Sequence, residues 1–399
     1  MKILHVIASL NPADGGPVEG LKQFCKIYLS QGHEVEVASL DSPEAVSQYG
    51  FPVKATGLGP GVGAYGYTRN AVPWLRKNHA RFDVVVVNAI WGYNAVAVHR
   101  ALAGTTTPYA VFTHGMLDPY FKKRFPLKHL KKSLYWHGLL QRVLRDAQAV
   151  FFTSEEEMRL ARQSFPRYKA REVVVPYGTH GPNCDTTAAA EEFLTSWPHL
   201  RKKRLALSLG RIHPKKGTDI LIEAFAATLA DDPAWHLVIA GPDDAGWRKD
   251  LEAQAEKLGI ANRITWPGML KGSLKWGAFT TAEIFVLPSH QENFGIVVAE
   301  ALSCGVPALI SDKVNIWREI ANYWAALVSE DTLPGTKQIL NRWSTLTAEE
   351  IDGVRKRSKK CFNDLFNLEA TSKALLKCIE DVAQANPRYE PSGGLVVTR

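Results

Sequence analysis

The sequence predicts an α/β protein in which a doubly wound parallel sheet is built twice, once in each of two domains. Three observations lead there. Short β-rich apolar runs alternate with helical patterns along the whole chain, the signature of consecutive βαβ units. The runs are near-continuously apolar rather than alternating, as strands buried on both faces of a parallel sheet require. The chain has 399 residues, 46% hydrophobic and 22% charged, an ordinary globular composition long enough for two domains of about 150 to 200 residues each.

The first strand series reads ILHVIASL, DVVVVNAI, YAVFTHG, AVFFTS and EVVVPYG, and the second LALSLG, HLVIAGP, ITWPG, IFVLPS, ALISD and AALVS. Each half opens on a strand, a glycine-bearing loop and a helix: NPADGGPVEGLKQF in the first, GRIHPKKGTDILIEAF in the second. These boundaries give an amino-terminal domain over 1–185, a linker over 186–203, a second domain over 204–370, and a carboxyl-terminal helix with a loose tail over 371–399. Open α/β sheets bind ligands beyond the carboxyl ends of their strands, so two facing sheets are expected to leave a cleft between them.

Composition excludes several classes. Five scattered cysteines (Cys25, Cys184, Cys304, Cys361, Cys378) with no C-x-x-C spacing suggest neither a disulfide framework nor a zinc site, and point to a reducing compartment. MKILHVIASL is too short for a signal peptide and runs at once into NPADGG, so it reads as a first strand. No run approaches the ~20 apolar residues of a membrane span. A cytoplasmic protein, soluble or peripheral on the inner leaflet of the plasma membrane, is the expectation.

The net charge is +8, and residues 121–145 hold eight Lys or Arg and no acid. Apolar residues in this segment (Leu127, Leu130, Leu134, Trp136, Leu139, Leu140, Val143, Leu144) recur at helical intervals, so the cations can share a face opposite a greasy one. A solvated helix face and adsorption to anionic lipid through Lys122, Lys123, Lys131 and Lys132 are both open readings. No nucleic-acid-binding module accompanies the segment, so nucleic acid is not an expected partner.

The chemistry concentrates in SHQENFGIVVAEALSCGVP, Ser289 to Pro307. IFVLPSH reads as a buried strand ending at Pro288, ENFG as a tight turn, and IVVAEALSCG as a helix stopped by Gly305 and Pro307. A helix entered this way presents unpaired N–H groups to an anion such as phosphate. Glu292 lies in the turn and Glu300 about two helical turns on; carboxylates repel phosphate, so hydroxyls are their natural partners. GRIHPKKG, Gly210 to Gly217, adds Arg211, Lys215 and Lys216 at another strand end, where cations suit a diphosphate. Each feature alone also fits a plain reading, a dipole-stabilising acid or a solvated basic loop.

Together, Glu292-x7-Glu300 within ENFGIVVAEALSCGVP, the GR-x4-KG element, the VIAGP turn ending at Pro242, and THGM at Thr113 to Met116 resemble the family 4 (group 1) glycosyltransferases of the GT-B fold, over nearly the whole chain. The resemblance implies two Rossmann-like domains and a retaining, metal-independent transfer of a hexose, mannose or glucose, from a nucleoside-diphosphate sugar. No cofactor or metal is implied. It implies that Arg211 and Lys216 hold the donor diphosphate, and that Glu292 grips a hydroxyl of the transferred sugar. Asn293, Phe294, Gly295 and Ile296 would then offer N–H groups to phosphate or sugar, and Glu300 would take the ribose. Gly15 and Gly16 would lie beside the diphosphate, His114 beside the donor sugar, and Gly268, Met269 and Leu270 near the base. Trp91, Tyr93 and Tyr120 are candidates to pack on a saccharide or lipid-linked acceptor, in cell-surface polysaccharide or glycolipid synthesis. A sugar-nucleotide epimerase of the same fold and a non-catalytic nucleotide-sugar sensor are the alternative readings.

Other signals do not fit. The literal G-x-G-x-x-G at Gly61 to Gly66 lies far from the first strand and reads as a flexible loop on the acceptor side. Asp243 and Asp244 imitate a metal-binding pair but read as loop acids before a helix.

Overall fold

The computed structural model describes residues 1–12, 16–124, 126–243 and 246–387. The chain divides into two compact units, Met1–Tyr177 with Thr371–Arg399, and Gly178–Ala370.

The first unit is built on strands β1 (Lys2–Ile7), β2 (Glu34–Ser39), β3 (Lys54–Gly57), β4 (Val84–Asn88), β5 (Tyr109–Phe112), β6 (Ala149–Phe152) and β7 (Glu172–Val174). All pair in parallel, in the order β3-β2-β1-β4-β5-β6-β7. The valines of β4 and every residue of β5 and β6 are buried, which is why these runs carry no polar alternation. Helices such as Tyr93–Leu102 cover the sheet, and Trp136, Leu140, Val143 and Leu144 complete the core.

The second unit uses β8 (Arg204–Leu209), β9 (Trp235–Ala240), β10 (Ile264–Gly268), β11 (Ala282–Leu287), β12 (Ala308–Ser311) and β13 (Ala326–Ser329). Its order, β10-β9-β8-β11-β12-β13, repeats the first six positions of the other sheet. In both, strand order reverses beside the first strand, between β1 and β4 and between β8 and β11. That reversal opens a crevice at the strand ends, where open α/β sheets take ligands. At the opposite end of the second sheet Arg204 makes a bidentate ion pair with Glu283 (2.7 and 2.6 Å), whose Oε1 also accepts the Trp343 indole N–H at 2.9 Å. This clamp ties β8 and β11 together away from the crevice.

Three expectations are corrected. The stretch expected as a linker, 186–203, belongs to the second unit and contains the helix Thr186–Ser196, N-capped by Asp185 through the backbone N–H groups of Thr187 and Ala188. A Cβ on Gly277 would lie 2.1 Å from the Ala189 carbonyl oxygen, so this helix sits backbone-close on the helix Gly272–Thr281. Small residues that looked like linker composition are a packing seam. The first unit ends at Tyr177 rather than at 185, and the chain rejoins it from Thr371 on. Leu375 and Ile379 of the helix Leu368–Ala383 are buried there, and the Asn386 amide donates to the Asp83 carbonyl at 3.2 Å. The expected loose tail lies mostly outside the described residues. Finally, the glycine-rich loop at 58–67 is packed: Val62 bridges Tyr67, and Tyr65 meets Tyr135 edge to face and Tyr93 at a tilt.

Candidate functional site

In the second unit the crevice between β8 and β11 carries the charged residues. The loop after β8 brings out exposed Arg211 and then Lys215 and Lys216, in a short helical turn that His213 caps through the Lys215 N–H at 3.1 Å. Gly217 closes the loop in the left-handed region (φ 66°), and a Cβ there would sit 2.3 Å from the Pro288 carbonyl oxygen at the end of β11. Only glycine lets the two strand-end loops approach this closely. The Lys215 carbonyl accepts the His290 N–H at 2.8 Å, so backbone bonding joins the loops as well.

Glu292 is fixed from the other side. Its N–H donates to the Lys313 carbonyl (2.9 Å) and its carbonyl accepts from Asn315 N–H (3.0 Å), pinning the turn to the loop after β12. Its half-buried carboxylate pairs with the half-buried Lys216 ammonium. Burial pushes the Glu292 carboxyl up, but the Lys216 and Lys215 ammonium groups and the Asn293 N–H outweigh it and hold the group below the usual range. Gly295 (φ 68°) then starts the helix Ile296–Ser303 and, having no side chain, cannot itself cap the first turn. Glu300 is buried on this helix and accepts the Lys275 ammonium at 2.8 Å. Here burial wins, and the carboxyl is raised despite Lys275. Lys275 also lies 4.4 Å over the Trp276 ring. The sequence reading missed Lys275; no motif marks it, since only the fold brings the helix Gly272–Thr281 beside Glu300. Of the residues expected near a base, Met269 is exposed, Leu270 is buried, and Gly268 (φ 74°) ends β10 at an irregularity in its pairing with β9. Asp243 is a cap, accepting from the N–H groups of Trp247 and Arg248. Asp244 lies outside the described residues.

The crevice of the first unit is polar but carries no ion pair among its described residues. Gly16 is exposed at the start of the helix Gly16–Ser30, and Gly15 lies outside the described residues. His114 follows β5 with φ 49°, a left-handed conformation that is strained for a non-glycine residue. Its ring stacks on Phe112 at 4.5 Å. The turn is held by Glu157, another residue the sequence reading missed. Glu157 accepts the Thr113 hydroxyl at 2.7 Å and the Gly115 N–H at 2.6 Å with one oxygen, and the Thr153 N–H and hydroxyl at 2.7 Å each with the other. The S-x-x-E spacing of Ser154 and Glu157 was a legible signal, because Ser154 caps the Glu157 N–H at 3.1 Å. The glutamate's own target, the turn after the neighbouring strand β5, was not legible.

The acceptor candidates are less available than expected. Tyr93 is buried in the core, and Trp91 donates to the Met116 carbonyl (3.1 Å) while Lys132 covers its ring at 4.3 Å. Tyr120 is half-buried at the start of the helix Tyr120–Arg124. Lys122 and Lys131 are exposed, and the Lys123 side chain lies outside what is described. In the helix Pro126–Tyr135, Leu127, Leu130 and Leu134 are 81%, 63% and 72% exposed, so these leucines do not pack on the core, whereas Trp136, Leu140, Val143 and Leu144 further along the segment do.

Two parallel sheets of matching strand order, one with a cation and carboxylate cluster at its switch point, define a doubly wound α/β protein. Residues 15–178 match the glycosyl transferase 4-like domain and residues 190–332 match the glycosyl transferases group 1. The chain belongs to the group 1 glycosyltransferases. It is 30% identical over 176 residues (42% of this chain, 38% of the relative) to the D-inositol 3-phosphate glycosyltransferase of Segniliparus rotundus. It is 26% identical over 264 residues (63% of this chain, 57% of the relative) to the enzyme of that name from Geodermatophilus obscurus. A lipopolysaccharide core biosynthesis mannosyltransferase of Rhizobium meliloti is 29% identical over 113 residues, 28% of this chain and 32% of the relative. The matches thus span less than two thirds of these relatives' own lengths. Among solved structures, Anabaena Alr3699/HepE in complex with UDP has a TM-score of 0.76 at 17% identity, covering 96% of this chain and all of that one. Sucrose-phosphate synthase from Thermosynechococcus elongatus has a TM-score of 0.74 at 16% identity, with the same coverage. These two likenesses confirm the GT-B fold.

Proposed function

We propose that the chain transfers a hexosyl group, mannosyl or glucosyl, from a nucleoside-diphosphate sugar to a saccharide or lipid-linked acceptor, with retention of anomeric configuration. The observation that carries this is the Lys216–Glu292 pair at the β8/β11 switch point, where Arg211 and Lys216 line a common pocket. A leaving diphosphate gains negative charge as the anomeric carbon turns cationic. Arg211, Lys216 and the amino-terminal end of the helix Ile296–Ser303 supply fixed positive potential for it, so the proposal needs no metal. Lys216 and Glu292 neutralise each other in the unliganded chain. A bound diphosphate would draw the ammonium to itself and leave the Glu292 carboxylate to accept from a sugar hydroxyl. Glu300, neutralised in the same way by Lys275, is suited to ribose hydroxyls. The departing phosphate would take the acceptor proton, so no separate general base is required. The relatives' names and the UDP held by the Anabaena structure agree with a nucleotide-sugar donor.

We assign the helix Pro126–Tyr135 to an anionic membrane surface, which suits a lipid-linked acceptor. Its three exposed leucines and its exposed Lys128 and Lys131 form an amphipathic face of the interfacial kind. Among the described residues no helix is long and apolar enough to cross a membrane.

The test is release of nucleoside diphosphate from a panel of UDP-, GDP- and ADP-sugars with membrane lipid extract, with and without EDTA. Turnover of one donor that survives EDTA supports the reading. Loss of turnover on chelation overturns the metal-free part. An isomerised nucleotide sugar with no free nucleotide would instead identify an epimerase, and binding without turnover a sensor.

A further inference from the structure

Three polar side chains meet at the crevice of the first unit, one from each of its three central strands or their ends. His5 is buried on β1, Asn88 is buried at the end of β4, and His114 follows β5. The Asn88 amide lies between the two rings. Its Nδ2 is 3.2 Å from His5 Nδ1 and its Oδ1 is 3.4 Å from His114 Nε2. A small cavity of about 10 Å³ beside the three is lined by apolar and neutral side chains, with no Asp, Glu, Lys or Arg among them.

An amide has one donor end and one acceptor end, so its orientation dictates which nitrogen of each ring carries the proton. The orientation here has a physical reason. Asn88 Nδ2 also faces the Val86 carbonyl oxygen at 3.4 Å, and turning the amide over would set two oxygens against each other. Nδ2 therefore donates to His5 Nδ1, which must be the bare nitrogen of that ring. Oδ1 accepts, so His114 Nε2 must carry the hydrogen. A neutral imidazole has one N–H, and His114 is then left with a lone pair on Nδ1.

We propose that Asn88, backed by His5, is a positioning residue that locks His114 in its Nε2–H tautomer, so that His114 recognises a ligand hydroxyl as a hydrogen-bond acceptor. The stack on Phe112 and the Glu157 bonds to Thr113 and Gly115 hold the ring and its turn in place. Burial keeps both imidazoles uncharged at neutral pH, with His5 held down to about 3 and His114 to about 4. A neutral acceptor suits a sugar or acceptor hydroxyl and is useless to a phosphate oxygen, which has no hydrogen to give. The proposal rests on His114 belonging to the transferase site, but its test does not need turnover.

The experiment is long-range ¹H–¹⁵N correlation spectroscopy of the full chain labelled with ¹⁵N-histidine, with His5 and His114 assigned from His5→Leu and His114→Asn. The wild type is expected to show His114 protonated at Nε2 and bare at Nδ1 at pH 7, with His5 likewise bare at Nδ1. A His114 protonated at Nδ1, or an even mixture, overturns the proposal without bearing on the transferase reading. Asn88→Leu is expected to move the His114 tautomer ratio roughly five- to tenfold toward a mixture, the size a single net hydrogen bond sets. Asn88→Asp offers only acceptors, so His5 is expected to switch to Nδ1–H while His114 stays Nε2–H. An unchanged His5 in a folded Asn88→Asp variant would break the relay. If neither variant folds, the wild-type tautomers decide alone.

Discussion

The two units share a strand order yet treat their switch points in opposite ways. Between β8 and β11 the crevice is ionic, with Lys215 and Lys216 beside Glu292, Arg211 in the same loop as those lysines, and Lys275 on Glu300. Between β1 and β4 the described residues present an amide between two imidazoles that burial keeps uncharged. The difference teaches that the fold fixes where a site lies while the loops choose its electrostatics. A crevice that must hold a diphosphate needs fixed charge, whereas one that meets hydroxyls needs only oriented lone pairs and N–H groups.

The sharpest way to break the comparison is to remove the charge. Arg211→Ala and Lys216→Met are each expected to lower kcat about 10²- to 10³-fold, as the loss of one preorganised donor does. A steady-state assay with the preferred donor measures this, and a kcat equal to wild type would remove either residue from the site. On the neutral side the comparable lesion is structural. Glu157→Ala strands the buried Gly115 and Thr153 N–H groups and is expected to cost roughly 3 kcal/mol, read as a lowered midpoint in chemical denaturation. An unchanged midpoint would mean that the THGM turn does not depend on that carboxylate.

Smaller effects sharpen the contrast. Glu300→Ala and Lys275→Met are expected to raise the donor KM by about tenfold with little change in kcat, the mark of uniform binding. Equal falls in kcat and kcat/KM would instead place Glu300 in the transition state. Neutralising Lys128 and Lys131 is expected to weaken sedimentation with anionic liposomes at low salt about fivefold per charge, and replacing Leu127, Leu130 and Leu134 with serine to abolish it. Wild-type protein that stays in solution with such liposomes would refute the membrane assignment. The neutral crevice should also leave a trace in stability against pH. Burial holds His5 down to about 3 and His114 to about 4 in the folded chain, against near 6.5 when unfolded, so the unfolded chain binds more protons between those values. Stability is therefore fully present above about 6.5 and falls as pH drops toward 4, by up to about 1.4 kcal/mol per pH unit for each ring. His5→Leu is expected to flatten that slope by about one proton, and an identical slope would show that His5 titrates freely.

The parallel sheets were legible because strands such as VVVV at Val84 to Val87 are buried on both faces and leave a continuous apolar run. Arg211, Lys216, Glu292 and Glu300 were legible because each lies at a fixed spacing from a strand end or helix start. Trp91 and Tyr93 misled, since an aromatic in a strand-end loop has the same appearance in sequence whether it faces solvent or core. The leucines of Pro126–Tyr135 left both readings open, because helical spacing says which residues share a face and nothing of what that face meets. The segment expected as a linker failed for a related reason, because its alanines matter only against Gly277, nearly ninety residues away.

Local periodicity and short spacings encode the fold class, the two strand series and the charged residues at the strand ends of the second unit. Only the tertiary structure decided the partners: Lys275 for Glu300, Glu157 for the His114 turn, and Asn88 between two histidines. Each of these contacts joins separate elements across a sheet or between packed helices. Their distances are set by strand order and helix packing, which no local pattern of residues encodes.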